Sequence, residues 1–325
     1  MNHTITILDI GTMGSDIPLP DFSSLGELAV YHNTRPDEVA DRIKNSTVVL
    51  TNKVPLTAET IAAAPRLSMI GTIATGYNLV DIAATQKRGI PVCNVPNYST
   101  ASVAQHTFAL ILALASRVAE LSEAVKAGEW ARAEFFCFWK NPVMELEGKT
   151  LGVVGFGNIG QAVAALGHQF GMRVLACTPR PKPAPEYQPF AFASLDELFE
   201  QSDVLSLHCP LTSDTDGMVN AARMKSMKRE AFIINCSRGT LINIPDLVEA
   251  LQNKVIGGAG LDVIPVEPMA DNDILHTAPN CIITPHSAWA SAEARTRLIE
   301  LVYQNVKAFI EGKPQNVVNK VGMEP

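Results

Sequence analysis

No two cysteines stand close enough in the sequence to clasp a metal or form a redox pair. The six (Cys93, Cys137, Cys177, Cys209, Cys236 and Cys281) are scattered singly along 325 residues, mostly inside apolar segments. A CxxC motif is thereby excluded, and reduced, buried thiols are expected. Charge is sparse as well, at 18% of residues, and its balance is a formal −7 with no lysine-rich run. Such a surface repels a polyphosphate backbone, so nucleic acid is not an expected partner. Long apolar runs are missing too: Phe108 to Ala115 is the longest, far below the roughly 20 residues needed to cross a bilayer. That run reads as a buried helix, and no membrane partner is expected. The first residues, MNHTITILDI, lack the charged start, apolar stretch and small-residue cleavage site of a leader, and a cytoplasmic protein is expected.

What is present suits a globular chain with room for two domains, 47% hydrophobic with 21 glycines and 21 prolines. Short β-rich runs (ITILD, VVLTN, LSMIGTI, IPVCNV) alternate with helical patterns, which argues for a parallel sheet with crossover helices. A long apolar helix follows from about Ser102 to Ala127, then the irregular passage WARAEFFCFWKNPVMELEGK. A second alternating series starts near Thr150, with the strands TLGVVGF, MRVLAC, DVLSLHC, AFIINCS, GGAGLDV and CIITPH. Six strands make a Rossmann-sized sheet. The last helix, Ala290 to about Ile310, needs a surface to pack on, and returning it to the first domain is the simplest solution. The predicted fold class is therefore α/β: two Rossmann-like domains with parallel sheets, the nucleotide domain (99–288) inserted into a discontinuous substrate domain (1–98 and 289–325).

GVVGFGNIG sets Gly155, Gly157 and Gly160 as GxGxxG between a strand and a helical run. The first glycine permits the tight turn, the second lets backbone approach a pyrophosphate, and the third allows helix and strand to pack closely. A dinucleotide is the expected cofactor, its phosphates at the helix N-terminus. The following strand should end in an acid that binds the adenine ribose, yet no Asp or Glu occurs between Gly160 and Glu186. Thr178 stands near that place, followed by Arg180 and Lys182. A guanidinium can grip a 2′-phosphate where a carboxylate would repel it, so NADP(H) is favoured. The alternative is that Arg180 is a solvated loop residue and NAD(H) serves.

Three later segments, INCSRGTLI, GLDVIPVEP and IITPHSAWA, put Arg238, Glu267 and His286 after apolar strands, where open parallel sheets bind ligands. Arginine can hold a carboxylate and a carbonyl oxygen together. Histidine exchanges a proton near neutral pH, and a carboxylate beside it orients the ring and favours its charged form. An anion clamp, a proton donor and a partner for the donor are the parts needed to reduce a 2-oxo acid. Trp289, three residues after His286, is a candidate for shaping the substrate pocket.

The ordered set GFGNIG, NCSRG, the acid in DVIPVEP and TPHSAW resembles the D-isomer-specific 2-hydroxyacid dehydrogenase family over nearly the whole chain. NVPNYSTASVAQHTFALILAL, FFCFW and TPHSAWAS are similar to its glycerate dehydrogenase, or hydroxypyruvate reductase, branch. The resemblance implies an NAD(P)-dependent oxidoreductase acting on CH–OH donors, with Arg238 binding substrate, His286 as acid/base and Glu267 as its partner. It also implies that the backbone of Ala74, Thr75 and Gly76, in IATGYNLVD, holds the substrate carboxylate. Cofactor contacts implied in the same way fall on Phe156, Asn158, Ile159, His208, Cys209, Pro210, Thr215, Cys236, Ser237, Arg238, Asp262 and His286, beside the three glycines. Departures are Gln105, where relatives commonly carry Glu, and the missing acid after the fingerprint. The expected substrates are hydroxypyruvate and glyoxylate. The alternatives are another D-2-hydroxy acid, or a nucleotide-sensing corepressor-like binding protein on the same fold. FFCFW reads either as plain core or as the contact of a homodimer.

Overall fold

The computed structural model describes residues 3–319 and 321. The chain divides into two units, one up to Ser99 and again from Ala290 onward, the other Thr100–Trp289.

In the first unit five parallel strands, β1 (Thr4–Ile7), β2 (Glu27–Val30), β3 (Val48–Thr51), β4 (Met69–Thr72) and β5 (Val92–Cys93), lie in the order β2-β1-β3-β4-β5. β3 and β4 are buried at every position, as expected of strands covered on both faces. Three short helices, α1 (Val39–Ile43), α2 (Ala58–Ala62) and α3 (Ile82–Lys87), connect them. The side chains of Thr57 and Asp81 cap the N-termini of α2 and α3. The chain's last helix, Ala292–Ile310, buries Ala294, Leu298, Val302 and Val306 at four-residue spacing, the stripe one helix face presents. Arg297 and Asn305 on that helix bond the carbonyls of Tyr98 and Asn94 at 3.0 and 2.9 Å.

The second unit opens with α4 (Thr100–Ser116) and α5 (Val118–Lys126). The sequence predicts one helix here, but the chain breaks at Arg117, which takes a left-handed φ of 54°. No glycine or proline marks the break. The Arg117 guanidinium stabilises it by bonding Pro142 O, Glu120 and Asn280 at 3.0, 3.2 and 3.0 Å.

The remainder runs β6 (Thr150–Val154), α6 (Asn158–Gln169), β7 (Arg173–Cys177), β8 (Phe190–Phe192), α7 (Leu195–Gln201), β9 (Val204–Leu207), α8 (Ala221–Ser226), β10 (Phe232–Asn235), α9 (Ile244–Gln252), β11 (Gly258–Leu261) and β12 (Cys281–Ile283). The sheet is parallel, ordered β12-β11-β10-β9-β6-β7-β8. Seven strands replace the six expected: the addition is β8, at the edge of its sheet and partly exposed, as β2 is in the first sheet. The order reverses between β6 and β9, and the crevice beyond their C-terminal ends is where a doubly wound sheet binds its ligand. Among the described residues no helix is long and apolar enough to cross a membrane.

Candidate active site

The turn after β6 is shaped for a close approach. Gly155 has φ +95°, and a Cβ there would stand 2.6 Å from the carbonyl of His208. A side chain on Gly160 would run into the Gly155 carbonyl, whereas Gly157 faces open space. Gly157 is also the N-cap of α6, where no side chain caps the first turn, leaving the helix end as an anion site. Crowding behind the turn and room in front of it fit a dinucleotide's pyrophosphate. Asn158 and Ile159 open α6. The Phe156 ring is 3% exposed and packs on Phe190 and Phe192 at 5.3 and 5.5 Å, so this residue can offer a ligand its main chain.

After β7, Thr178 is half-buried and donates to Arg180 O at 3.3 Å, while Arg180 and Lys182 are exposed. Neither cation has a carboxylate partner among the described residues. After β9, His208 donates its N–H to Val154 O at 2.7 Å and shares a 2.8 Å bond between Nε2 and Ser206 Oγ. Burial pushes its pKa down to about 4, which keeps the ring neutral. Thr215 donates to Pro210 O at 2.8 Å, and Ser237 donates to Cys209 O at 2.7 Å, so these loops brace one another.

Cys209 is a buried and Cys236 a half-buried thiol, raised by burial to about 11 and about 12, so both stay neutral near pH 7. Cys137 departs from the expectation of buried thiols and is exposed, because the passage around it is not core.

Arg238 follows β10 and is exposed. Its turn is held from beneath by the fully buried Asn235, which donates to Arg238 O at 2.8 Å and accepts from Ser237 N at 3.0 Å. Gly239, next in sequence, packs against the main chain of Ile264 and Pro265. That same turn carries Glu267, whose Oε1 accepts from Ile264 N at 3.2 Å. The other oxygen, Oε2, lies 2.6 Å from Nδ1 of His286. The structure thus joins Glu267 to His286 and sets the Arg238 turn against the loop that carries Glu267. Trp289 is half-buried at the end of the unit.

Asp262, 1% exposed, turns its carboxylate to the loop bearing His286. It accepts from Thr284 Oγ1 at 2.7 Å, Ser287 N at 2.8 Å and Ala288 N at 2.9 Å. No motif singled out that anchoring role, or the α4 residues Ser102 and His106 that reach the same loop. The only sequence signal was their shared helix face, four residues apart.

In the first unit, Val95 N donates to Ala74 O at 2.9 Å, and the Thr75 side chain donates to Val95 O at 2.7 Å. The N–H groups of Ala74, Thr75 and Gly76 have no acceptor among the described residues. No cluster of side chains suited to a metal ion occurs among the described residues.

Residues 108–288 match the family model described as D-isomer specific 2-hydroxyacid dehydrogenase, NAD binding domain. The chain belongs to the D-isomer-specific 2-hydroxyacid dehydrogenases. It is 42% identical over 308 residues to a hydroxypyruvate reductase of Blautia hydrogenotrophica, covering 94% of this chain and 96% of that one. It is 38% identical over 321 residues to a glycerate dehydrogenase of Methylorubrum extorquens, covering 98% and 99%. A solved D-lactate dehydrogenase of Aquifex aeolicus, complexed with NAD and lactic acid, superposes with a TM-score of 0.81 at 31% identity, covering 95% and 96%. As a dehydrogenase of this family the protein is an oxidoreductase acting on CH–OH donors, an NAD(P)H-dependent reductase of 2-oxo acids. Its fold is that of the family, two parallel-sheet Rossmann-like domains.

Proposed function

We propose that this dehydrogenase reduces hydroxypyruvate, and glyoxylate as a smaller analogue, to the D-2-hydroxy acid, with NADPH preferred over NADH. The observation that carries the reading is the 2.6 Å pairing of Glu267 with His286. A carboxylate on Nδ1 fixes the ring's orientation and leaves Nε2 to serve the reacting oxygen. The residues that would hold the dinucleotide are Gly155, Phe156 through its main chain, Gly157, Asn158, Ile159, Gly160, Thr178, Arg180, His208, Cys209, Pro210, Thr215, Cys236, Ser237 and Asp262, alongside Arg238 and His286. When bound it supplies a hydride to the substrate's C2.

Arg238 binds the substrate and steadies the charge that develops on its C2 oxygen. His286 gives a proton to that oxygen, completing the alcohol, and Glu267 balances the imidazolium before transfer. The acceptor-free N–H groups of Ala74, Thr75 and Gly76 suit a carboxylate, and we assign the first unit to substrate binding and the second to the dinucleotide. Trp289 shapes the substrate pocket.

The names of the two relatives in the reductase branch support hydroxypyruvate as substrate. NADPH is favoured because Arg180 and Lys182, which have no carboxylate partner among the described residues, stand where an acid would otherwise clamp the ribose. The enzyme is proposed to work in the cytoplasm as a homodimer, in keeping with six unbridged cysteines and an exposed aromatic strip at 130–139.

Initial rates with hydroxypyruvate and glyoxylate, each with NADPH and NADH, test the reading. Faster reduction of hydroxypyruvate with NADPH is expected, and Arg180→Ala should erase the coenzyme preference. Equal rates with NADH in the parent would make Arg180 a solvated bystander. No rate with any 2-oxo acid despite tight coenzyme binding would favour a corepressor-like protein.

A further inference from the structure

His286 has φ +52°, in the left-handed region that few residues with a Cβ occupy, although histidine enters it more readily than most. Its own N–H is divided between Asp262 O at 2.8 Å and Thr284 O at 2.9 Å. The residues on either side are tied down by contacts from a single helix face. Ser102, in the first turn of α4, donates its hydroxyl to Ala288 O at 2.6 Å. His106, one turn later, places Nε2 at 2.9 Å from Thr284 Oγ1 and 3.4 Å from Asp262 Oδ1.

The direction of these bonds follows from counting protons. A threonine hydroxyl has one, and that of Thr284 goes to Asp262 Oδ1 at 2.7 Å. Its bond with His106 must therefore be donated by the ring, which fixes the Nε2–H form of His106. Asp262 in turn holds Ser287 N and Ala288 N. From Thr284 to Ala288, then, a side chain, four backbone N–H groups and two carbonyls are engaged, and α4 supplies a contact at each end.

We propose that Ser102 and His106 are positioning residues of the dehydrogenase, bracketing the 284–288 loop from α4 and so fixing the backbone conformation in which His286 meets Glu267. The proposal rests on the reading of His286 as proton donor. Neither side chain needs to touch substrate or coenzyme. Their loss lets the imidazole drift from its productive place, and a misplacement of about 1 Å can cost about 10²-fold in rate.

The test compares Ser102→Ala, His106→Ala and His286→Ala in hydroxypyruvate reduction with NADPH, alongside Ser102→Thr and His106→Gln, which restore a donor. Expected for each of the two α4 alanine variants is a fall in kcat of about 10- to 100-fold, with KM for both substrates nearly unchanged. The isotope effect with deuterated coenzyme should rise, because the chemical step becomes slower than product release. The donor-restoring variants should recover most of the rate. Where alanine at 106 prevents folding, His106→Asn, whose amide falls short of Thr284, carries the same expectation.

Normal kcat in both α4 alanine variants while His286→Ala is inactive would overturn the positioning proposal and leave the proton donor standing. Losses that Gln and Thr fail to recover, or that appear in KM instead of kcat, would also overturn it. Full turnover by His286→Ala would overturn both readings.

Discussion

His208 shows how a single buried ring can tie the stability of the second unit to pH. Part of the residue reaches solvent, but its ring is turned in to Ser206 and burial holds its pKa at about 4, against an ordinary 6.5. The folded protein keeps this ring neutral where the unfolded chain begins to bind a proton. Its contribution to stability is therefore complete above about pH 6.5 and is lost progressively as pH falls towards about 4. A His208→Gln variant should lose less stability than the parent across that window, read as the denaturant midpoint at each pH. Parallel curves for the two proteins would show that the ring titrates normally. Residue identities such as this one, or Glu267 and His286, are visible in sequence as residue types that follow apolar strands. What sequence cannot display is their bonding: Glu267 and His286 stand nineteen positions apart, and the turn in which Glu267 bonds Ile264 N brings Oε2 to Nδ1.

The elements were legible to the extent that periodicity reached them. Strands such as β3, β4 and β6, buried at every position, appear as mainly apolar runs because both faces are covered. β2 and β8 are missed for the opposite reason: each lies at a sheet edge and contains exposed positions, so neither is buried throughout. The break between α4 and α5 was invisible because Arg117, a good helix former, is held in its left-handed conformation by distant partners. The passage after α5 has the strongest unfulfilled apolar character. Trp130, Phe135, Phe136 and Trp139 are 53, 69, 88 and 66% exposed, and aromatics so exposed mark an interaction surface more often than solvent-facing chain. If the strip seats a second copy, sedimentation should give a dimer whose dissociation constant rises steeply in a Phe136→Ser, Trp139→Ser double variant. A monomeric parent at micromolar concentration would remove the homodimer from the account.

At the scale of the whole molecule, the α/β class and the parallel sheets were readable because each strand–helix alternation leaves its own periodicity, and because glycines at 155, 157 and 160 mark where the second sheet's crevice must open. The order of strands was not readable, since hydrogen-bonded neighbours such as β6 and β9 are about 50 residues apart, and nothing local records their pairing. For the last helix the sequence expects a return to the first domain, and the stripe at 294, 298, 302 and 306 announces its buried face, while its bonds to Tyr98 and Asn94, about 200 residues earlier, leave no local mark.

Reduction of the 2-oxo acid, as proposed, depends on one proton. The most direct measurement is the turnover of hydroxypyruvate by His286→Ala against the parent, at saturating NADPH, with coenzyme binding checked by fluorescence quenching. A general acid is worth about 10²- to 10⁴-fold in rate. A loss of that size with coenzyme affinity preserved is expected. Turnover equal to the parent's would contradict it.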